Sequence, residues 1–269
     1  MKNFTKTLVA ATLALGTVSA NAAIDNSGAM SSEAFLSVYG ENADASAKAT
    51  FTMDLGVSLG DLIANRTNAA FALTFDLAAL SDWNSFKAKI GNDFSATKYL
   101  VATGGTSGTG IPSVATTSAN PVVLNGDFTD FGSIQDTVTS INGHALTING
   151  DADDSDFANN NTTFGFFGDG VSAGLHNTDA NSANNLWEGP IGVNPEIAYG
   201  SDAEFYLAAI NGATFGGEVF SFENKFLLAD DALTFGATPS AVPVPAAIWL
   251  FGSALLGMAG IRRRNVTAA

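Results

Sequence analysis

The chain has 269 residues, no cysteine, and 26 acidic against 11 basic side chains, a formal net charge of −15. The missing cysteine excludes disulfides, thiol nucleophiles and thiolate metal sites. So acidic a surface repels nucleic acid and anionic lipid, which argues against both as partners of the folded body.

The first residues read as an export signal. Lys2 and Lys6 form a basic start and Leu8 to Val18 a short apolar run. Ser19-Ala20-Asn21-Ala22-Ala23 then offers small residues, with Ala20 and Ala22 placed as an A-x-A-like cleavage site. Residues 1–22 are therefore expected to be a signal peptide cut after Ala22, with Ala20 and Ala23 as alternative ends. Residues 23–236 form the body and 237–241 a linker. The span from Ala23 to Ala241 keeps every acidic residue but only Lys48, Arg66, Lys87, Lys89, Lys98 and Lys225, a net charge of −20. It shows no internal repeat and no boundary that splits it.

Apolar alternation along the body favours strands. Glu33 to Tyr39 and Ala49 to Leu55 are the first two; in the second, Phe51, Met53 and Leu55 point one way and Thr50, Thr52 and Asp54 the other. Together they predict a hairpin across Gly40 to Lys48. Phe71 to Leu77, Trp83 to Ile90 and Lys98 to Ala102 follow as strands, with Gly91-Asn92-Asp93 as a turn. Gly104 to Gly110 (GGTSGTG) reads as a flexible surface loop, because Ile111-Pro112 stand where a phosphate cradle needs Lys-Ser/Thr and a helix. The single expected helix covers Phe131 to Asn142, with Ile134, Val138 and Ile141 on one stripe, Asn142-Gly143 as its stop, and a place at an edge or end of the sheet. Beyond an Asn-, Asp- and Gly-rich stretch holding one candidate strand at Thr162 to Phe167, strands return at Ala203 to Ile210, Gly217 to Phe222, Lys225 to Ala229 and Leu233 to Phe235. Glu223-Asn224 reads as a hairpin turn between two of them. Many short strands, little helix and 20 phenylalanines predict a mainly β fold, an antiparallel β-sandwich with the jelly roll among its forms, plus one short helix.

No catalytic residue is assigned. The two histidines, His144 and His176, sit in loop contexts without a nucleophile-elbow sequence or a zinc-binding motif. Carboxylate pairs for glycoside hydrolysis are open to so acidic a chain, which keeps a secreted hydrolase as the third reading. The metal candidate is Ca²⁺ at Asp151, Asp153, Ser155 and Asp156, where side-chain oxygens two residues apart converge on a hard cation. That pattern departs from an EF-hand at Asp156, where glycine is required, and at Thr162, where a bidentate glutamate belongs; a solvated acidic loop is the plainer reading. Asn65, Asn160 and Asn161 begin glycosylation-type triplets.

The chain ends in an ordered series: Val242-Pro243-Val244-Pro245-Ala246, an uncharged run to Ile261, then Arg262, Arg263 and Arg264. The prolines keep the tetrad extended, and Pro245 suits the first helical position. Residues 246–261 span roughly 24 Å as a helix, a short transmembrane segment that arginine snorkelling extends. The arginines place the C-terminus in the cytoplasm. This tail resembles the PEP-CTERM sorting domain of Gram-negative bacteria in its VPLPA variant, with Val244 in place of leucine and Trp249 to Gly257 following the family's apolar core. The resemblance covers about a tenth of the chain. It implies recognition by the membrane protease exosortase, an inner-membrane intermediate, and delivery of the body to the surface or extracellular matrix. A looser similarity, at Phe35-Leu36-Ser37-Val38-Tyr39, Thr50 to Gly56 and Trp83-Asn84, links the start of the body to other proteins with such tails.

The expectation is thus an exported protein with a structural or interaction role in exopolysaccharide or biofilm. The alternative is a carbohydrate-binding module that uses Trp83 or Trp187 as a stacking platform.

Overall fold

The computed structural model describes residues 24–25, 27–42, 48–118, 130–149, 162–166, 197–211 and 214–236. In chain order they form β1 (Glu33–Glu41), β2 (Lys48–Ser58), α1 (Leu59–Ala64), β3 (Leu73–Asp76), α2 (Ser81–Lys89), β4 (Lys98–Thr106), β5 (Pro112–Ser118), α3 (Phe131–Asn149), β6 (Thr162–Phe166), β7 (Ile197–Ala198), β8 (Asp202–Ile210), β9 (Gly217–Ser221), β10 (Phe226–Ala229) and β11 (Ala232–Phe235). All strand pairings are antiparallel. The mainly β, antiparallel character is as expected. The two-sheet sandwich is not what forms: hydrogen bonds link all eleven strands into one sheet, ordered β3-β11-β10-β8-β5-β4-β1-β2-β6, with β7 beside β4 and β9 beside β8.

Both faces of the sheet's central strands are covered. On one, Leu36, Val38, Phe51, Tyr99, Val101, Phe205, Phe226, Leu228 and Phe235 pack with Leu59 and Leu62 of α1, Trp83 and Phe86 of α2, and Ile90 just after it. On the other, Phe35, Tyr39, Leu100, Val114, Tyr206 and Ala208 lie under the Ile134-Val138-Ile141-Ala145 stripe of α3. Strands buried on both sides need no polar alternation. This is why β5, PSVATTS, is buried along its whole length yet gives no strand signal in the sequence.

Four local expectations are corrected. Trp83 to Ile90 is helical, because Trp83, Phe86 and Ile90 at i, i+3 and i+7 are all fully buried on one side. Asp82 in the first turn and Lys87 and Lys89 in the last suit the helix dipole. α3 runs through Asn142-Gly143 to Asn149, since Ala145 continues the buried stripe and its packing outweighs the roughly 1 kcal/mol a helical glycine costs. It lies across the face of β4, β5 and β8, not at an edge.

The GGTSGTG stretch is strand in its first half. A Cβ on Gly105 would stand 2.1 Å from the Ala29 carbonyl oxygen, and one on Gly104 3.3 Å from Val138 Cα, so the two glycines let the chain be approached closely from opposite faces. Only Ser107–Gly110 turns.

Finally, Glu223-Asn224 is no hairpin turn. β9 and β10 follow one another along the same edge of β8, with Tyr206 opposite Ser221 and Ala203 opposite Phe226. Four residues, Phe222 to Lys225, thus face only Glu204 and Phe205, a wide bulge. The true hairpin turn is Asp230-Asp231 between β10 and β11, with both residues at positive φ (50° and 59°), as a two-residue type I′ turn demands.

Candidate functional site

The bulge builds a groove. Its inward residues are anchored: the Phe222 N–H donates to Phe205 O at 2.9 Å and the Glu223 N–H to Arg66 O at 2.9 Å. The buried Asn224 amide donates to Asn68 O (3.1 Å) and Phe71 O (2.6 Å). Glu223 and Lys225 are thereby turned outward. Along β10 and β11, Phe226, Leu228, Leu233 and Phe235 enter the core, and Leu227, Ala229, Ala232 and Thr234 alternate outward. These outward residues floor an open groove of about 510 Å³ whose rim carries Asp202, Glu223, Lys225 and Asp230. Lys225 is paired with Glu204, whose hydrogen bond holds the ammonium above its usual pKa range. The pair is half-exposed and contributes little to stability, but it leaves the rim's remaining charge negative. Chemically the groove offers carboxylates, a threonine hydroxyl and an aliphatic floor, suited to hydrogen-bonding polar or cationic ligands.

A second unusual group lies at the other end of the sheet. Asp54 is 2% exposed; its Oδ1 accepts the Gly56 N–H at 2.8 Å, and its Oδ2 has no partner among the described residues. Burial pushes the Asp54 carboxyl up to about 7, with the Gly56 hydrogen bond opposing and the Glu33 charge reinforcing.

No protein family, curated protein or solved structure matches this chain. Its functional reading rests on its own residues.

Of the expected sites, the sorting motif Val242 to Ala246, the run 246–261 and Arg262 to Arg264 lie outside the described residues. So do the signal peptide, the linker, the calcium candidates Asp151, Asp153, Ser155 and Asp156, His176 and Trp187. Among the described residues no helix is long and apolar enough to cross a membrane, and no three acidic or histidine side chains converge as a metal site. His144 falls within α3, not in a loop. Trp83 is fully buried, so it is no stacking platform. Its ring stacks on Phe86 with centroids 5.1 Å apart and meets Phe51 edge-on at 5.1 Å.

The groove residues carry no motif. Glu223 and Lys225, two residues apart, share the outward side of the chain; the two extra residues at the β9–β10 edge, set by pairing with β8, are invisible in the local sequence. Asp54 looks like the polar side of an alternating strand, and no signal within its own strand shows that this side is buried too.

Proposed function

We propose that this chain is an exported, exosortase-sorted protein whose β-rich body acts at the cell surface or in the extracellular matrix, in a structural or binding role within exopolysaccharide or biofilm. The observation that carries this reading is the tail: a Pro-punctuated Val242 to Ala246, an uncharged run to Ile261 and three arginines, in that order. The signal-like first 22 residues and the acidity of the body support it, since a strongly negative surface favours solubility in a hydrated matrix. In this scheme the signal peptide opens export, the helix at 246–261 holds the precursor in the inner membrane, and exosortase releases the body near the proline motif. Comparing the mass and location of the protein in its host with and without exosortase tests the scheme. A species shortened near residues 242–246 only when the protease is present supports it. Identical mass and location in both strains refute it.

The second reading is a carbohydrate-binding module, and the groove favours it. Asp202, Glu223 and Asp230 can each accept hydrogen bonds from sugar hydroxyls, as carboxylates commonly do at polar recognition sites. Binding to soluble exopolysaccharide that is lost in an Asp202→Ala/Glu223→Ala double variant supports a sugar site there; unchanged binding removes the groove from consideration.

A further inference from the structure

We propose that Asp54 and Glu33 form a proton-operated latch at the β1–β2 end of the sheet: the fold closes there with Asp54 as the neutral acid, and loss of its proton loosens this end. The pairing register supplies the geometry. Phe35 stands opposite Asp54, and Glu33, two residues earlier on β1, lies on the same side of the strand. A register shift between Glu33 and Phe35 sets Glu33 opposite Ser58, four residues beyond Asp54 on the same side of β2, and its charge still acts on Asp54. Asp54 is almost completely buried, with one oxygen bonded to the Gly56 N–H and the other unpartnered among the described residues.

The surrounding charges do not favour ionisation. The charge acting on Asp54 is that of Glu33. From the preceding segment, the Asp25 N–H caps Glu33 Oε2 at 2.9 Å, while the Asp25 carboxylate is turned back onto the Ser27 N–H. From α1, Asp61 is engaged with Ser58 at the helix start. An ionised Asp54 would therefore place a second negative charge beside Glu33, with one oxygen unsolvated; the neutral acid avoids both. The buried carboxyl's elevated proton affinity, near 7, agrees with this arrangement. Asp54 also stands one residue beyond the Met53–Thr162 pair at which β6 joins the sheet, so loosening acts directly on an edge strand.

The sign of the pH dependence follows. The folded carboxyl holds its proton more tightly than the unfolded chain, whose ordinary value is 3.8. The stabilisation it brings is complete below about pH 4 and is lost as pH rises through about 7. This inference is independent of the sorting scheme.

The test is unfolding of the full-length chain by denaturant at a series of pH values from 4 to 8, in wild type, Asp54→Asn, Glu33→Gln and the exposed control Asp136→Asn. Between pH 5 and 7, Asp54→Asn should take up about one proton fewer on folding than wild type, while Asp136→Asn keeps the wild-type slope. Glu33→Gln should move the sensitive window to lower pH. An Asp54→Asn slope equal to that of wild type overturns the latch. Should Asp54→Asn fail to fold, Glu33→Gln decides alone: a window that shifts supports the proposal and one that stays in place overturns it.

Discussion

The indole N–H of Trp83 donates to Asp231 Oδ1 at 2.8 Å, joining the buried face of α2 to a hairpin turn 148 residues further along the chain. The other carboxylate oxygen of Asp231 receives Lys87 Nζ at 2.7 Å, and the Asp231 carbonyl accepts the Leu77 N–H. One side chain thus fixes how α2 sits against the β10–β11 hairpin.

Asp231→Ala should destabilise the protein by about 2–4 kcal/mol, from an orphaned buried indole donor and an alanine forced to positive φ. Asp231→Asn should cost less, because it keeps an acceptor for Trp83 and tolerates the turn. Burial alone would raise the Asp231 carboxyl, but the Lys87 and Trp83 hydrogen bonds hold it below its ordinary value. Its stabilisation is therefore present above about pH 4 and is lost as pH falls further. Urea unfolding of the three proteins, with wild type also followed below pH 4, checks both points.

The two halves of the glycine-rich stretch should respond oppositely to alanine. Gly105→Ala drives a methyl group into the Ala29 carbonyl and should cost about 3 kcal/mol or more. A Cβ on Gly108 meets nothing within 4 Å, so Gly108→Ala should stay within about 0.5 kcal/mol of wild type. Equal midpoints for the two variants would show that Gly104-Gly105 is loop after all.

Asn224→Ala leaves the Asn68 and Phe71 carbonyls without their shared donor and should cost about 1–3 kcal/mol. Asn224→Asp should be worse, because a carboxylate would then face two carbonyl oxygens. If the bulge shapes the groove, both variants also weaken any ligand bound there, and equilibrium binding on the folded variants measures this.

Replacing Pro243 and Pro245 by alanine removes both prolines ahead of the apolar run. Under the sorting proposal the unshortened precursor should accumulate in the membrane fraction, as read by intact mass. Normal processing of this variant would detach the proline motif from recognition.

The β1–β2 pairing is legible in the sequence because Phe51, Met53 and Leu55 repeat with period two. What the period could not say is that the opposite row is also interior: Thr50, Thr52 and Asp54 are 5%, 0% and 2% exposed. Trp83 to Ile90 is ambiguous in sequence because its apolar residues satisfy a strand's period loosely and a helix's spacing fully, a choice decided by what they pack on. Ala145 extends α3 for the same reason. The groove is not legible in the sequence, since Asp202, Glu223 and Asp230 are brought together by the β8–β10 pairing and the bulge beside it, which join residues distant in the chain.

The pairing of β3 with β11 has a consequence for how the protein acquires its structure. Leu73 faces Phe235 and Asp76 faces Ala232, so an early strand finds its neighbour only at the last strand of the described body. Contacts this distant in sequence close slowly, because a long loop must be ordered before any of them forms. Among the described residues, β3 has no partner strand until residues 232–235 have been made. A chain truncated before Ala232 would expose the edges of β3 and β10 and leave Leu228 and Phe226 without Leu233 and Phe235 beside them. Folding of this sheet is therefore a late event that needs nearly the whole body at once.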